Sequence, residues 1–496
     1  MLTDLLYENA SARADEVAIV YRDERVTHAD LLERTERLAA GLAAQGVGRG
    51  DAVALLLPND PSFVASYFAI SGLGAVVVPV NPAFKQDELD FYFRQCEVRA
   101  VISDERTAGV CERIVSGWER PAQVITTSSA HGQALTLDAL MEAEPQKLEP
   151  RSPDEPLVYQ FSSGSTGRPK RVARTHAQCT GEASYYATMG LGPEDKIFCA
   201  IPLFHTYGMG CCMFAAAGTG ATLVVLEDPN PFLLRRQRAI ELLEQEQATI
   251  FPGVPFNFRL MAEAPASADL SSIRLAFSAG TALPRPFFDA FLDKFGVPVR
   301  QLYGCTEAGT LTANMDADPV ASFESVGRPV DGVEVRIEDD DGEPVPTGSI
   351  GEVAVRSPGL TDGYVDMPEL NSQVFREGFF ITGDLGQIDA EGRLTITGRK
   401  KLLIEVGGYK VDPIEVEDVV GAHPKVGEAV VVGVPGKVAG EEVVKAVVVP
   451  SDAVDERELI TFCQERLANF KVPQVVEFRE EIPKSPLGKI LRKYLI

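Results

Sequence analysis

Along the first part of the chain, continuous apolar runs alternate with segments whose apolar residues recur at helical spacing. The run "DAVALLLP" (51–58) is followed by the helix-like segment "SFVASYFAISGLG" (62–74) and by a second run, "AVVVPV" (75–80). A continuous apolar run indicates a strand that is buried on both faces, and helices between such strands are typical of a mostly parallel sheet covered on both sides. This pattern predicts an α/β protein.

A helix start precedes this alternation. Thr27 and Asp30 have the spacing of a capping box, and leucines recur at helical spacing through "LLERTERLAAGLAAQG" (31–46), so we predict an amphipathic helix there. The alternation stops in polar, proline-containing sequence between Ser128 and Glu155, which we interpret as a linker. It then restarts and continues to about residue 304, which predicts a second αβ-layered subdomain.

The pattern changes twice more toward the C-terminus. From Val326 to about Ile396, short strand-like runs separated by glycine-rich turns predict a small β-rich module. Beyond Gly398, alternating helical and apolar segments indicate a compact α+β domain of about a hundred residues. We therefore predict a large N-terminal domain over residues 1–397, built of two αβ-layered subdomains and the β-rich module, and a small C-terminal domain over residues 398–496.

Composition narrows the class of protein. The 496 residues include 47 Lys and Arg against 72 Asp and Glu, a net charge of −25 that disfavours nucleic acid and anionic membranes as partners. No run approaches the roughly 20 apolar residues of a membrane span, and the acidic start lacks the order of a signal peptide, so we predict a cytoplasmic protein. The eight cysteines form no CxxC pair, which favours reduced thiols over disulfides or a zinc site.

One loop carries a clear chemical signal. Six consecutive small residues, Ser162 to Gly167 ("SSGSTG"), follow a predicted strand, and Lys170 comes three positions later. Small residues let successive backbone N–H groups approach an anion, hydroxyls add donors, and the lysine adds charge, so phosphate is the expected guest. The spacing is not that of a Walker P-loop, because Gly164 and Gly167 are too close and Arg171 follows the lysine.

The loop and six later segments resemble, in order, the motifs of the adenylate-forming superfamily, which includes acyl- and aryl-CoA synthetases, peptide-synthetase adenylation domains and luciferase. The match spans nearly the whole chain and is nearest to the acyl/aryl-CoA ligases. The segments are "FSSGSTGRPKRVARTH" (161–176), "PLFHTYGMG" (202–210), "SAGTALP" (278–284), "QLYGCTEAG" (301–309), "FITGDLG" (380–386), "GRKKLLIEVGGYKVDPIEVE" (398–417) and "PKSPLGKILR" (483–492).

The resemblance implies a two-step reaction. ATP and a carboxylic acid form an acyl-AMP with release of pyrophosphate, and a thiol then displaces AMP. The implied cofactors are ATP, Mg²⁺ and CoA, with the phosphopantetheine of an acyl carrier protein as the alternative thiol. Such catalysis depends on positioning and on stabilising charge at the α-phosphate, without a covalent enzyme intermediate.

The resemblance also implies a nucleotide site. The 162–167 loop would wrap the β- and γ-phosphates, Tyr303 would lie against adenine, Thr306 on the α-phosphate and Asp384 on the ribose. Mg²⁺ would be held by Glu307 and Thr166, because a hard cation prefers carboxylate and hydroxyl ligands. The full set of implied ATP- and AMP-binding residues is Ser162, Ser163, Gly164, Ser165, Thr166, Gly167, Lys170, Gly280, Thr281, Ala282, Tyr303, Gly304, Cys305, Thr306, Asp384 and Arg399.

In the family the C-terminal domain is mobile. Lys489, in "PLGK", resembles the lysine that reaches between the attacking carboxylate and the α-phosphate during adenylation. The domain then rotates about a hinge, assigned by position to Lys401, and brings Gly407, Gly408 and Tyr409 to line the thiol tunnel. This is hinge gating by a loop residue.

The acid pocket is implied by the "PLFHTYGMG" segment. Amino-acid-activating relatives carry an aspartate where this chain has His205, so an uncharged alkyl or aryl acid fits better than an α-amino acid. The implied pocket residues are His205, Gly208, Met209, Thr281 and Cys305, and the implied catalytic residues are Lys489, Thr166, Glu307 and His205.

Three alternatives remain open from the sequence. The acceptor is CoA or a carrier-protein pantetheine, because the acidic chain shows no obvious basic cluster for the CoA nucleotide. A luciferase-like oxygenase would send the adenylate to oxygen, and a nucleotide-binding scaffold would be expected to lack Lys489 or Glu307, which this chain keeps. We expect a monomer or a homodimer.

Overall fold

The computed structural model covers most of the chain. It describes residues 1–127, 135–148, 152–162, 169–227, 232–399, 403–437, 441–483, 490 and 492–496.

The larger of two main sheets contains nine strands among the described residues. Its spatial order is β16 (Arg328–Pro329), β15 (Gly309–Ala313), β14 (Val299–Cys305), β13 (Leu275–Ser278), β12 (Ile250–Gly253), β10 (Lys196–Cys199), β11 (Thr222–Val225), β1 (Val17–Tyr21) and β2 (Glu24–Thr27). The strands from β14 to β1 pair in parallel, whereas β2, β15 and β16 pair antiparallel, with β16 and β2 at the two edges. The predicted mostly parallel sheet is confirmed.

The second main sheet contains seven strands within the described ranges. Its spatial order is β7 (Leu135–Thr136), β6 (Gln123–Thr126), β5 (Ala100–Ser103), β3 (Ala52–Leu56), β4 (Val76–Pro79), β8 (Pro156–Ser162) and β9 (Lys170–Thr175). The apolar runs predicted as strands between residues 51 and 304 lie in these two sheets. Their near-complete burial explains why they contain so few polar residues.

Helices cover the sheets, and the capping box predicted at Thr27 and Asp30 is present, with Asp30 N donating to Thr27 Oγ1. The described α-helices are α1 (Asp4–Arg13), α2 (His28–Ala44), α3 (Pro61–Gly72), α4 (Gln86–Gln95), α5 (Glu105–Ser116), α6 (Leu137–Met141), α7 (His176–Thr188), α8 (Thr206–Gly208), α9 (Ala215–Thr219), α10 (Phe232–Gln245), α11 (Pro255–Ala262), α12 (Arg285–Phe295), α13 (Pro368–Val374), α14 (Pro413–Gly421) and α15 (Glu456–Gln464). A π-helix spans Met209–Phe214, and 3₁₀ turns span Asn469–Lys471 and Arg492–Tyr494. None of the helices in the described ranges has both the length and the apolar character needed to cross a membrane.

The linker interpretation of the region from Ser128 to Glu155 is wrong for part of its length. Residues 135–141 form β7 and α6, and β7 completes the seven-stranded sheet. Leu137 and Leu140 are each 3% exposed, and a Cβ on Gly41 of α2 would come within 2.5 Å of the Leu140 carbonyl oxygen. A five-residue helix is too short to show helical periodicity, so the sequence pattern gave no signal.

Three smaller sheets are present in the rest of the described chain, and the predicted β-rich module is confirmed. The module is β17 (Glu334–Glu338), β18 (Gly351–Arg356), β20 (Phe379–Ile388) and β19 (Phe375–Arg376) in that order, with β21 (Leu394–Arg399) paired to β20. The C-terminal α+β region contains the hairpin β22 (Ile404–Val406) and β23 (Tyr409–Val411), and a sheet of β24 (Val426–Pro435), β25 (Glu442–Pro450) and β26 (Val475–Phe478).

The chain packs as two compact units. The first is Met1–Pro82, Phe93–Gln160 and Arg171–Gly398, and the second is Ala83–Tyr92, Phe161–Lys170 and Arg399–Ile496. A large α/β part and a small C-terminal part are therefore both present, as predicted. The functional boundary between residues 397 and 398 stays a prediction, because compact packing and functional domains divide a chain by different criteria.

A buried lysine ties together three segments of the second unit. Lys471 Nζ lies 2.8 Å from Glu88 Oε1 and 2.7 Å from Glu415 Oε1. Burial lowers the pKa of Lys471, but the charges of Glu415 and Glu88 outweigh burial, so the pKa lies above its ordinary value. Lys471 is therefore a paired cation at neutral pH, as a buried charge must be.

An aromatic cluster holds the helices against one face of the nine-stranded sheet. Phe258 is fully buried, and its ring centroid lies 5.0 Å from those of Phe251 and Phe291. We predict that Phe258→Ala lowers the free energy of unfolding by about 3–5 kcal/mol, because it removes a large buried side chain and leaves a cavity. The shift of the urea transition, followed by circular dichroism, measures this loss.

Leu234→Ala is the matched control for this prediction. Leu234 lies on α10 of the same unit but is 76% exposed, so its removal is expected to change the unfolding free energy by no more than about 0.5 kcal/mol. Equal effects of the two substitutions would contradict the assignment of Phe258 to the core.

Candidate active site

Parallel pairing brings several predicted site segments to one edge of the nine-stranded sheet. Strands β10, β12, β13 and β14 run in the same direction, so the segments that follow them leave from the same side. His205 follows β10, Gly280 and Thr281 follow β13, and Tyr303 lies near the end of β14. In open α/β sheets this carboxyl edge is where ligands bind.

Two predicted nucleotide residues meet here although they come from different sheets. The Tyr303 hydroxyl donates a hydrogen bond of 2.6 Å to Asp384 Oδ2. Asp384 is 3% exposed and lies on β20 directly after Gly383. Gly383 has a φ of +76°, and β20 bends there, where its register with β18 shifts. Such a bulge redirects a side chain out of the sheet pattern. Burial, and then the charge of Asp384, raise the pKa of Tyr303 well above its ordinary value.

The turn that carries the other nucleotide residues is tightly closed. A Cβ on Gly304 would lie 2.3 Å from the Gly309 carbonyl oxygen, so no larger residue fits at that position. Cys305 and Thr306 are half-buried in the turn, and the Glu307 side chain is buried. The predicted residues of this segment are therefore held in one conformation by β14 and β15.

Glu307 is fixed by two residues that the sequence did not single out. The Tyr364 hydroxyl donates 2.6 Å to Glu307 Oε1, and the Thr361 N–H donates 2.8 Å to the Glu307 carbonyl oxygen. Thr361 Oγ1 in turn donates 2.6 Å to the Ala173 carbonyl of β9. No local pattern in "TDGY" indicated this role.

The predicted acid-pocket segment forms a short helix and a π-helix. His205 is exposed, and its Nδ1 accepts 3.2 Å from the Tyr207 N–H at the start of α8. The Tyr207 hydroxyl lies 3.2 Å from the Gly253 carbonyl oxygen and 3.3 Å from that of Phe277, so the half-buried ring spans the ends of β12 and β13. The sequence analysis did not single out Tyr207, whose hydroxyl links these two strand ends.

The remaining predicted pocket residues differ in exposure. Gly208 is buried, and a Cβ there would lie 2.3 Å from the Pro202 carbonyl oxygen. Met209 begins the π-helix and is fully buried in the core. Thr281 is half-buried, whereas Gly280 and Ala282 are exposed. π-Helices are rare and occur frequently at functional sites.

The phosphate-loop prediction is only partly within the described residues. Ser162 ends β8, and Lys170, which is 7% exposed, begins β9, the neighbouring strand. Residues 163–168, and with them Thr166, lie outside the described residues, so the predicted Glu307 and Thr166 pair has no geometry here. In the part of the chain that is described, no group of three or more His, Cys, Asp or Glu side chains is placed to hold a metal ion.

The predicted thiol-tunnel residues lie in the second unit. Gly407 and Gly408 form the two-residue turn between β22 and β23, with φ of +56° and +89°, as a type I′ turn requires. The Tyr409 ring stacks on Phe470 with centroids 4.2 Å apart, a contact that the sequence did not indicate. Arg399 is exposed at the end of β21. Lys401 and Lys489 lie outside the described residues.

All eight cysteines are unpaired thiols in the structure. Seven are buried and Cys305 is half-buried. Burial raises the pKa of Cys96, Cys111 and Cys211 to about 12. Burial, together with the charges of Glu307 and Asp384, raises the pKa of Cys305 well above its ordinary value. None of these four thiols is therefore ionised to a useful extent at neutral pH.

Comparison with known proteins identifies the family to which this chain is similar. A family model described as "AMP-binding enzyme" matches residues 6–365, and one described as "AMP-binding enzyme C-terminal domain" matches residues 415–489. A feruloyl-CoA synthase of Amycolatopsis is 34% identical over 96% of this chain and 94% of its own length. The long-chain-fatty-acid–CoA ligase FadD13 of Mycobacterium tuberculosis is 32% identical over 95% of this chain and 93% of its own.

Solved structures agree with the sequence comparison. The amide bond synthetase McbA of Marinactinospora thermotolerans superposes with a TM-score of 0.89 at 30% identity, covering 100% of this chain and 98% of its own. The o-succinylbenzoate-CoA synthetase MenE of Bacillus subtilis, a double mutant bound to a product analogue, gives a TM-score of 0.88 at 28% identity, covering 99% and 98%.

The raised pKa of Cys305 predicts slow alkylation of the folded protein. An ordinary thiol has a pKa of about 8.5, so at pH 8 a thiol whose pKa is raised holds less of the reactive thiolate. Iodoacetamide is therefore expected to label Cys305 slowly near neutral pH, with a rate that rises steadily up to pH 10. Peptide mass mapping measures the rate, and denatured protein is the control. A rate that is already constant between pH 7 and 9 would show that the thiolate forms early, against this prediction.

Proposed function

This chain belongs to the AMP-binding enzyme family, and from that premise we propose the roles of its site residues and the class of its acid. The protein is an AMP-forming acyl-CoA synthetase, which uses ATP to activate a carboxylic acid as acyl-AMP and transfers the acyl group to CoA. The observation that carries the site proposal is the 2.6 Å hydrogen bond between Tyr303 and Asp384.

We propose that Tyr303 and Asp384 bind the nucleoside of ATP. The ring of Tyr303 offers a flat apolar face for adenine, and Asp384, a buried carboxylate, accepts hydrogen bonds from the ribose hydroxyls. Gly280, Thr281 and Ala282 border the adenine and the acid, and Gly304 and Cys305 complete the turn beside them. Arg399 reinforces the ribose site.

The triphosphate contacts follow from donor chemistry. Ser162 to Gly167 donate backbone and hydroxyl hydrogen bonds to the β- and γ-phosphates with Lys170 behind them, and Thr306 contacts the α-phosphate. Glu307 and Thr166 supply the hard oxygen ligands that suit Mg²⁺. The fit is supported by Glu307, whose carboxylate is buried and is held at Oε1 by the Tyr364 hydroxyl. Bound Mg²⁺ neutralises phosphate charge.

The two half-reactions use different faces of the C-terminal domain. Lys489 bridges the attacking carboxylate and the α-phosphate during adenylation and offsets the repulsion between these anions. Rotation about Lys401 then presents Gly407, Gly408 and Tyr409 to the incoming thiol. The positive-φ glycine turn supports this assignment, because it carries no side chains that would obstruct a narrow thiol.

The acid is proposed to be a compact aromatic carboxylic acid. Feruloyl-CoA synthase and o-succinylbenzoate-CoA synthetase are named for aromatic acids. In this chain Met209, Met213 and Phe214 are each at most 1% exposed, and a side chain that lines an empty channel keeps accessible surface. The π-helix beyond His205 is therefore packed, which favours a short planar acid over a long alkyl chain. Tyr207 and His205 supply the aromatic wall.

CoA is the acceptor that the relatives support. Both curated relatives described above are CoA ligases, which favours CoA over a carrier-protein pantetheine. McbA, named as an amide bond synthetase, makes an amine the second acceptor worth testing. A cytoplasmic location and a monomeric or dimeric state stay predictions of the sequence.

A panel of acids tests the proposed acid class. We predict ATP–pyrophosphate exchange with benzoate- and cinnamate-type acids and a kcat/KM at least about tenfold lower with a sixteen-carbon alkyl acid, because a poorly fitting pocket loses binding energy in the transition state. Exchange with the alkyl acid equal to or above that with the aromatic acids would contradict the aromatic assignment. To identify the acceptor, CoA, a pantetheinylated carrier protein or an amine is added to separate reaction mixtures, and the acylated product is measured in each.

Lys489→Ala separates the two half-reactions. We predict that it lowers the rate of acyl-AMP formation by at least about a hundredfold, as loss of a charge that stabilises a transition state does, while thioester formation from supplied acyl-AMP changes little. Burst and single-turnover assays with radiolabelled acid measure both steps. Lys484→Ala, in the same segment, is the matched control. Equal loss of both steps in Lys489→Ala would contradict this division of roles.

A further inference from the structure

A buried ion pair lies behind the site and is used by none of the roles above. Arg174 on β9 is fully buried, Glu182 on α7 is 1% exposed, and Arg174 Nη1 lies 2.8 Å from Glu182 Oε2. A buried ion pair commonly contributes no more stability than apolar residues of similar size. Stability alone therefore does not account for two charges at this place.

The other oxygen of Glu182 holds the nucleotide turn. Glu182 Oε1 accepts 3.2 Å from the N–H of Thr310, the second residue of β15, which follows the turn of Tyr303 to Glu307. A Cβ on Gly309 would lie 2.4 Å from Glu182 Cδ. Because Gly309 has no side chain, the end of the turn rests directly on the carboxylate.

The same carboxylate touches the π-helix of the acid-pocket segment. A Cβ on Gly210 would lie 2.3 Å from Glu182 Oε1, so the π-helix backbone also packs on this oxygen. The Tyr186 hydroxyl lies 3.4 Å from Glu182 Oε1, 3.0 Å from Thr310 Oγ1 and 3.5 Å from Cys211 Sγ. Glu182 is thus a common neighbour of the nucleotide turn and the acid-pocket helix.

Arg174 fixes the position of that carboxylate. Its Nε donates 3.2 Å to the Gly359 carbonyl oxygen. Ala308 is the residue after Glu307, and a Cβ on Gly359 would lie 2.7 Å from the Ala308 carbonyl oxygen. The guanidinium therefore links Glu182 to the segment that also supplies Thr361 and Tyr364 to Glu307.

We propose that Glu182, oriented by Arg174, is a positioning residue that sets the distance between the nucleotide turn (303–309) and the π-helix (209–214), and through that distance the selectivity for the acid. This inference rests on the proposed function of the two segments. Neither side chain touches a substrate. Their effect is transmitted by the two glycines that pack on the carboxylate.

The experiment compares Glu182→Gln, the double variant Arg174→Met plus Glu182→Leu, and wild type. The double variant removes both charges and keeps an apolar volume, so it is expected to fold even if the single variant, which leaves Arg174 unpaired, does not. The measurement is the ratio of kcat/KM values for two acids from the panel that differ in length, determined by pyrophosphate exchange. This ratio does not depend on the fraction of enzyme that is folded.

Asp195→Asn is the matched control. Asp195 is also 1% exposed and paired with an arginine, Arg274, but at the amino ends of β10 and β13, opposite the site. We expect the acid ratio to change at least about fivefold in the Glu182 variants, since small displacements in a pocket change discrimination by at least this factor. The ratio in Asp195→Asn is expected to stay within about twofold of wild type, because a remote and independent site does not couple to the pocket.

The outcomes separate the inference from the proposed function. Exchange by the wild type with aromatic acids supports the proposed function whatever the variants do. An unchanged acid ratio in the Glu182 variants, with or without a fall in melting temperature, overturns the positioning role alone. An equal change in Asp195→Asn also overturns it, because any buried ion pair would then have the same effect.

Discussion

The shared direction of strands β10, β12, β13 and β14 is the constraint on which the site depends. Parallel strands place the segments that follow them at one edge, and here those segments carry His205, Gly280 and Tyr303. The β-rich module adds Asp384 to the same place through a bulge, which is why a residue 81 positions from Tyr303 can accept a hydrogen bond from its hydroxyl. The arrangement of the proposed site is thus a consequence of strand order, with loops supplying the chemical groups.

Local sequence signals predicted most of the fold because the forces involved are local. The capping box at Thr27 and the buried strands are determined by residues close in sequence, and the structure has them where the pattern indicated. The errors lie where the pattern of apolar residues was too short to identify an element, or where tertiary packing determined the local structure. Residues 135–141 were interpreted as a linker, and the sequence pattern gave no indication that Met209–Phe214 forms a π-helix, whose hydrogen bonds join residues i and i+5.

The site was predictable only as far as its motifs extended. Tyr303, Asp384 and Glu307 stood in recognisable segments, but their partners did not. Tyr364 and Phe470 contact site residues that are far away in the sequence; 57 positions separate Tyr364 from Glu307, for example. A single residue that acts through such a distant contact leaves no local sequence pattern. Thr166, Lys401 and Lys489 remain predictions, since they lie outside the described residues.

The pairing of Arg174 with Glu182 restricts the routes by which such sequences can diverge. Loss of either partner alone leaves an uncompensated charge in an apolar interior, a strongly unfavourable intermediate. The two positions are therefore expected to change together or not at all, and Gly210 and Gly309 are tied to them by space. Four residues spread over 136 positions of sequence are thus coupled by packing, so a substitution at any one of them is constrained by the other three.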